Sequence, residues 1–224
     1  MAKAPIPGTV KSRLVPPLTA AQAAELSRAL LLDLLDQLQE LSGAERYLCF
    51  TPDPAGALMR AMAGTKFHLI AQRGSDLGER MAAVFTDLRT RGHRSILLIG
   101  SDLPAFPLDY LAQAFEYLAA PTARAVVGPS EDGGYYLVGM NHPVPEIFRD
   151  MTWSHERVFT QTLARLEARG IPTRQLPRWF DIDTPADLER LRHLDGTAAA
   201  RMKSTLNFLR HGDNRQRPAT RTKA

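Results

Sequence analysis

The fold class predicted by this 224-residue sequence is three-layer α/β/α, built on a mostly parallel sheet. Three observations lead there. Short apolar runs with no polar alternation, at 47–50, 96–99 and 125–127, read as strands buried on both faces. Helical patterns fall between them, so strand and helix alternate through most of the chain. A 44% hydrophobic share supports one sizeable core, and no shift in composition divides it.

Residues 2–14 form a Pro- and Gly-rich loop carrying Lys3, Lys11 and Arg13. Pro5 and Pro7 stiffen it and Gly8 permits a positive φ, so it can hold a bend with its amides facing a ligand. In an extended chain Lys11 and Arg13, two apart, share one side, which suits a phosphate group. A solvated basic segment is the competing account. Thr19-Ala-Ala-Gln22 then reads as a capping box opening a long helix, with Leu26, Leu30, Leu34, Leu38 and Leu41 on one stripe and Gly43 closing it. Strands are predicted at 46–51 and 67–71, with a short helix between Pro54 and Gly64. The polar stretch 72–80 leads to a helix with Met81, Val84, Phe85 and Leu88 turned inward.

The central stretch is Ile96-Leu97-Leu98-Ile99-Gly100-Ser101-Asp102-Leu103-Pro104. Pro104 has no N–H to give, so the ladder stops and Asp102 sits where the strand runs out. Ligands bind beyond the carboxyl ends of strands in open α/β sheets, although an aspartate there can also merely cap a turn. Pro107 fits the first turn of a helix running to about Leu118. The strand at 125–128 empties into Pro129-Ser130-Glu131-Asp132-Gly133-Gly134, followed by an apolar strand from Tyr135 to Met140. This turn suits either close backbone approach to a ligand, with Asp132 reaching it, or an ordinary Asp-Gly hairpin. A loop or short helical turn at 143–150, Trp153 as a core plug, and a helix from about Glu156 to Arg169 follow. In Asp181-Ile182-Asp183-Thr184-Pro185, an extended chain turns both aspartates one way and Ile182 the other, while Thr184 and Pro185 start a helix. The aspartates make an oxygen-rich patch for a cation, or simply prepare the helix start.

Composition excludes several classes. Cys49 is the one cysteine, so neither a disulfide framework nor a cysteine metal site is possible within the chain. The pI of about 9.5 suggests nucleic acid, but residues 210–224 carry a net charge equal to the +4 of the whole chain. The near-neutral body gives no argument for a specific nucleic-acid partner. The expected organisation is one domain over 1–195 and a basic, disordered tail over 196–224. No apolar signal region or membrane span is evident, so a cytoplasmic protein without membrane partner is expected. No Walker loop and no G-x-G-x-x-G occur.

Three acidic strand ends (Asp102, Asp132, and Asp181 or Asp183) and one basic loop could meet at one sheet edge. A divalent ion between carboxylates and a phosphate reconciles both signs of charge, and oxygen ligands favour Mg²⁺ or Mn²⁺. Four segments, Lys3 to Leu14, Gly100 to Pro104, Gly128 to Tyr135 and Asp181 to Pro185, together resemble a bacterial family of GT-A-type glycosyltransferases. These are associated with radical-SAM or selenodomain proteins and arsenosugar biosynthesis. The Lys11-Ser-Arg13-Leu14 and Asp183-Thr-Pro185 segments also resemble 2-phospholactate guanylyltransferases and molybdenum-cofactor nucleotidyltransferases. The resemblance spans about residues 2–195. It implies a Rossmann-like sheet of the nucleotide-diphospho-sugar transferase type; this sequence departs from the family in starting at the Lys3-Ala-Pro segment, so either the usual first strand is lacking or the start codon is misassigned.

The resemblance further implies Asp102 and Asp183 as metal ligands and Lys11 and Arg13 on the donor phosphates, with Lys3, Pro7, Gly8, Ser101, Gly133 and Gly134 in the same nucleotide site. Asp102 and Asp132 are the expected catalytic pair, Asp132 near the acceptor as base or orienting group. The expected activity is metal-dependent transfer from a nucleotide-activated donor to a small-molecule acceptor, with glycosyl transfer ahead of nucleotidyl transfer and of a non-catalytic nucleotide-binding module.

Overall fold

A computed structural model describes residues 1–194 and 196–212. Among the described residues, seven strands form two hydrogen-bonded sheets. β1 (Ala2–Lys3), β2 (Tyr47–Thr51) and β3 (His68–Ala71) are parallel, in the order β1-β2-β3. β4 (Ile96–Ile99), β5 (Ala125–Pro129), β6 (Tyr135–Met140) and β7 (Thr173–Gln175) follow in the order β4-β6-β5-β7. β5 and β7 are parallel, whereas β6 runs antiparallel to both β4 and β5. The stretch at 96–99 is thus not a strand between two parallel neighbours. The 130–134 turn sends the chain straight back, and a tight return joins antiparallel strands only.

The first strand expected to be absent is present, as the two-residue β1. Ala2 and Lys3 pair with Phe50 and Thr51 at the end of β2, and the Met1 amino group donates to Ile99 O of β4 at 2.6 Å. Burial lowers the pKa of that amine. Before β1, a cavity of about 330 Å³ between β2 and β4 is lined by Met1, Tyr47, Cys49, Ile96, Leu98 and Phe115 among others. The C-terminal ends of β1, β2 and β4 therefore lie side by side.

Helices cover both faces. α1 (Ala20–Leu38) and α2 (Gly56–Ala63) pack on one side of β1–β3 through Leu31, Leu35, Met59 and Ala63. α4 (Leu108–Leu118) continues that layer over β5 and β6. On the other face α3 (Leu77–Thr90) and α5 (Val158–Glu167) bury Met81, Val84, Phe85 and Leu166. The capping box at Thr19 and Gln22 is formed as the sequence predicts, and α1 ends before Leu41. The second expected helix start is also formed, with Thr184 and Asp187 capping α6 (Pro185–Arg192) reciprocally and Pro185 in its first turn. None of the helices is long and apolar enough to cross a membrane, among the described residues.

The expected disordered tail is corrected over 196–212, while 213–224 lie outside the described residues. After a short helix, α7 (Gly196–Ala199), α8 (Lys203–Gly212) packs against α1. Buried Asp33 of α1 accepts from Ser204 N at 2.7 Å and Thr205 N at 2.8 Å, and Met202 is fully buried. Charge counting missed this because the partner is far away in sequence: a carboxylate on another helix satisfies the first amides of α8. Asp33→Ala should cost about 2 kcal/mol, the worth of a cap whose loss leaves buried donors unpaired. Urea unfolding checks this, with faster amide exchange at Ser204 and Thr205.

Candidate active site

Past Ile99 the chain leaves β4 through Gly100 and Ser101, and Asp102 lies three residues beyond the strand end. The segment around 181–183 is fastened beside it: Ile182 N donates to Asp102 O at 3.3 Å, and Ile182 is fully buried. One residue either side, Asp181 and Asp183 turn away from the core as period-two geometry requires. Asp183 Oδ1 accepts from Lys11 Nζ at 2.9 Å, and Asp102 Oδ2 meets the same nitrogen at 2.6 Å. Asp181 instead accepts from Ser130 Oγ at 2.9 Å, linking this segment to the β5–β6 turn.

Lys11 is the most buried member of the cluster, with its side chain 3% exposed. It occupies the left-handed region at φ 51°, just before a 3₁₀ turn at Ser12–Leu14. The expected extended loop, with Lys11 and Arg13 on one side, is therefore corrected: Lys11 is folded inward and Arg13 is exposed. A non-glycine residue in this conformation costs on the order of 1 kcal/mol, offset here by two charge-assisted contacts. Burial opposes the ammonium most strongly, yet the Asp102 and Asp183 charges and their hydrogen bonds raise its pKa above the ordinary value. Burial likewise disfavours the Asp183 carboxylate, and Lys11 together with Arg13 pulls its pKa below the usual range.

Asp181 behaves oppositely. Burial first, then the charges of Asp183 and Asp132, push it up to about 6 against the Ser130 hydrogen bond. A raised carboxylate pKa means the folded state holds an extra proton between about pH 4 and 6, so this group's contribution to stability falls as pH rises through that window. Asp181→Asn should flatten that fall and raise the melting temperature at pH 7. Carboxyl NMR should show a titration near pH 6 that the variant lacks.

The cluster stands at the junction of two cavities, of about 570 Å³ and 210 Å³. Leu77, Gly100, Ser101, Asp102, Trp153 and Ser154 line both. The larger lobe adds Lys3, Lys11, Arg80, Gln72, Asp76 and Asp183 among its walls. The smaller adds Ser130, Asp132, Gly134, Tyr135, His155 and Asp181. Of the predicted residues, Lys3, Lys11, Ser101, Asp102 and Asp183 therefore meet in one lobe, and Asp132 and Gly134 in the other. Pro7, Gly8, Arg13 and Gly133 line neither.

The Asp132 turn is a hairpin as well as a cleft wall, so the two readings of its sequence coexist. Asp132 is exposed and accepts from Gly134 N at 2.9 Å. Gly133, at φ 89°, meets the Glu156 backbone rather than a cavity. Trp153 is half-buried in the wall between the lobes, and at neighbouring Ser154 the chain takes φ 65°. Gln72, Asp76, Arg80, Trp153 and His155 were not singled out as site residues by sequence reasoning. The usable signal was the polar run 72–80 entering a helix, which Asp76 caps by accepting from Glu79 N at 2.8 Å.

This geometry has a known setting. A crystallised protein from Desulfovibrio desulfuricans G20, provisionally described as a nucleotide-diphospho-sugar transferase, superimposes with a TM-score of 0.87. It is 33% identical, and the match covers 95% of this chain and 93% of that one. CMP:2-keto-3-deoxy-manno-octonic acid synthetase, solved with CTP, shares the fold at a TM-score of 0.52 and 14% identity, over 73% of this chain and 86% of its own. Fold and relatives together define a transferase-like protein of the nucleotidyl and nucleotide-sugar kind. The chain belongs to the bacterial family DUF2064, described as an uncharacterized protein conserved in bacteria, whose profile matches residues 34–155. A phosphoenolpyruvate guanylyltransferase of Sphaerobacter thermophilus is 28% identical over 193 residues, which is 82% of this chain and 86% of that protein.

Proposed function

We propose that the protein transfers a glycosyl group from a nucleotide-diphospho-sugar to a hydroxylic acceptor. One observation carries the reading. Lys11, Asp102 and Asp183 converge on a single point, with the ammonium 2.6 and 2.9 Å from the carboxylates, inside a two-lobed cleft at the strand ends. The larger lobe brings Lys3 and Arg80 to the same space, so cations face where a diphosphate would lie. The Desulfovibrio relative's description supports a sugar nucleotide as donor.

Asp102 and Asp183 supply the hard oxygen donors that Mg²⁺ or Mn²⁺ takes; Lys11 Nζ holds one oxygen of each, Asp102 Oδ2 and Asp183 Oδ1, so an ion would use their other oxygens. Among the described residues no group of three His, Cys, Asp or Glu could hold a metal, so oxygens of the donor phosphates would be needed as well. Bound there, the ion would neutralise the diphosphate and stabilise it as leaving group. The acceptor oxygen bonds to the anomeric carbon as the carbon–phosphate-oxygen bond breaks, and its proton passes to a carboxylate of the smaller lobe. Asp132 and Asp181 both stand there, within the same lobe wall.

Nucleotidyl transfer is the second reading, favoured by the similarity to a guanylyltransferase over most of the chain. There the attacked atom is the α-phosphorus and pyrophosphate leaves. Incubation with Mn²⁺ and panels of nucleoside triphosphates and nucleoside-diphosphate sugars separates the two. Sugar transfer with nucleoside diphosphate release is expected; pyrophosphate release without sugar transfer rejects the glycosyl reading. Nucleotide binding with no turnover of any donor leaves only a binding module.

A further inference from the structure

The two lobes differ in charge, and the difference bears on the acceptor. Lys3, Lys11 and Arg80 all face the larger lobe. The smaller one is lined by Asp102, Asp132 and Asp181, and among its described lining residues there is no lysine or arginine. Lys11 neutralises Asp102, but neither Asp132 nor Asp181 has a cation within ion-pair distance among the described residues. The nearby arginines do not change this. Arg190 is held by Glu131 at 2.6 Å and lies 3.6 Å over the Phe180 ring, while Arg157 is exposed and lines neither lobe. Among the described lining residues, His155 is the one basic side chain in the wall.

The rest of that wall is largely apolar and aromatic, with Leu77, Leu103, Val158, Tyr135 and Trp153. Flat hydrocarbon faces beside hydrogen-bonding carboxylates and the Ser130 and Ser154 hydroxyls suit the ring and hydroxyls of a polyol, or an amine. They do not suit a phosphorylated carboxylic acid, whose charges would face like charges in a partly desolvated space.

We propose that the smaller lobe is the acceptor subsite and that it selects an uncharged polyhydroxylic or cationic amino-alcohol acceptor against anionic, phosphate-bearing ones. The inference rests on the transferase reading above for the word acceptor, and on the lining charges alone for the selectivity. It separates this chain from a phosphoenolpyruvate-using enzyme by the charge of one cavity.

The test is ligand-observed NMR on the whole protein, with and without Mg²⁺ and GDP, using methyl α-glucoside, ethanolamine and phosphoenolpyruvate as probes. The best neutral or cationic probe should bind at least roughly tenfold more tightly than phosphoenolpyruvate. In Asp132→Lys the order should invert. Asp132 is exposed on a turn, and Asp132→Asn, which keeps its shape, should give an intermediate preference. Phosphoenolpyruvate binding the wild type as tightly as the other probes, absence of any preference, or an unchanged order in Asp132→Lys would overturn the assignment. If Mg²⁺–GDP fails to bind while the acceptor order holds, the donor reading falls and the lobe's selectivity stands.

Discussion

Lys11→Met is expected to lower stability at pH 7 by about 2–3 kcal/mol and donor turnover by roughly a hundredfold or more. The variant keeps the volume of the stem but leaves Asp102 and Asp183 facing each other without a counter-charge. Breaking a fully buried ion pair by removing one partner costs about 3–5 kcal/mol; here the carboxylates are 33% and 41% exposed, so solvent screening brings the loss below that, to about 2–3 kcal/mol. The pH dependence follows from the directions of the shifts. Lys11, raised above its ordinary value, is cationic throughout the working range, and its stabilisation disappears only as pH rises through that raised pKa. Asp183, lowered, contributes above about pH 4 and loses that contribution as pH falls through its depressed pKa. The difference between wild type and variant should therefore shrink in acid. Added Mn²⁺ should recover part of it, because the freed carboxylates are the proposed cation site. Urea unfolding at pH 7 and pH 3, with and without Mn²⁺, measures all of this; an equal loss at both pH values would show that packing rather than charge is responsible.

Gly133→Ala should be worse for the acceptor side than for the donor side. The residue sits at φ 89°, where an L side chain is strained, and a Cβ there would overlap the carbonyl oxygen and Cα of Glu156. Backbone cannot swing aside as a long side chain can. The hairpin must therefore part from the start of α5, breaking the hydrogen bond from Phe159 N to Gly133 O at 2.9 Å. A loss of about 3 kcal/mol or more is expected, combining strain with a broken backbone contact. Trp153, His155 and Asp132 should move together, so acceptor use should fall further than nucleotide binding, which tryptophan fluorescence on donor addition would follow. Gly8→Ala is the control: Gly8 also has positive φ, at 80°, but open space around its Cβ, so it should show strain without displacement of the hairpin.

Local signals in the sequence account for much of this structure. The capping residues Thr19 and Thr184 were legible because a cap acts within three residues. The apolar runs were legible as strands because burial on both faces removes polar alternation. Asp102 and one of Asp181 or Asp183 were legible as candidate neighbours, because each stands where an apolar segment meets a helix-starting or ladder-ending proline; it was the family resemblance, not the spacing, that singled out Asp183. The direction of β6 was harder to assign, since an Asp-Gly-Gly turn serves a ligand loop and a hairpin equally. The docking of α8 was invisible, because the residue that caps it, Asp33, lies 171 positions from Ser204 and inside another helix.

Sequence alone determined the layered α/β class, the capped helices and the set of carboxylates and cations available for chemistry, because each is written in contacts a few residues long. Tertiary structure alone decided which charges meet. It turned Lys11 inward through a left-handed residue onto two aspartates from distant parts of the chain, left Arg13 outside, and divided the remaining charges between two lobes. Those outcomes depend on long-range packing, for which adjacency in sequence carries no information.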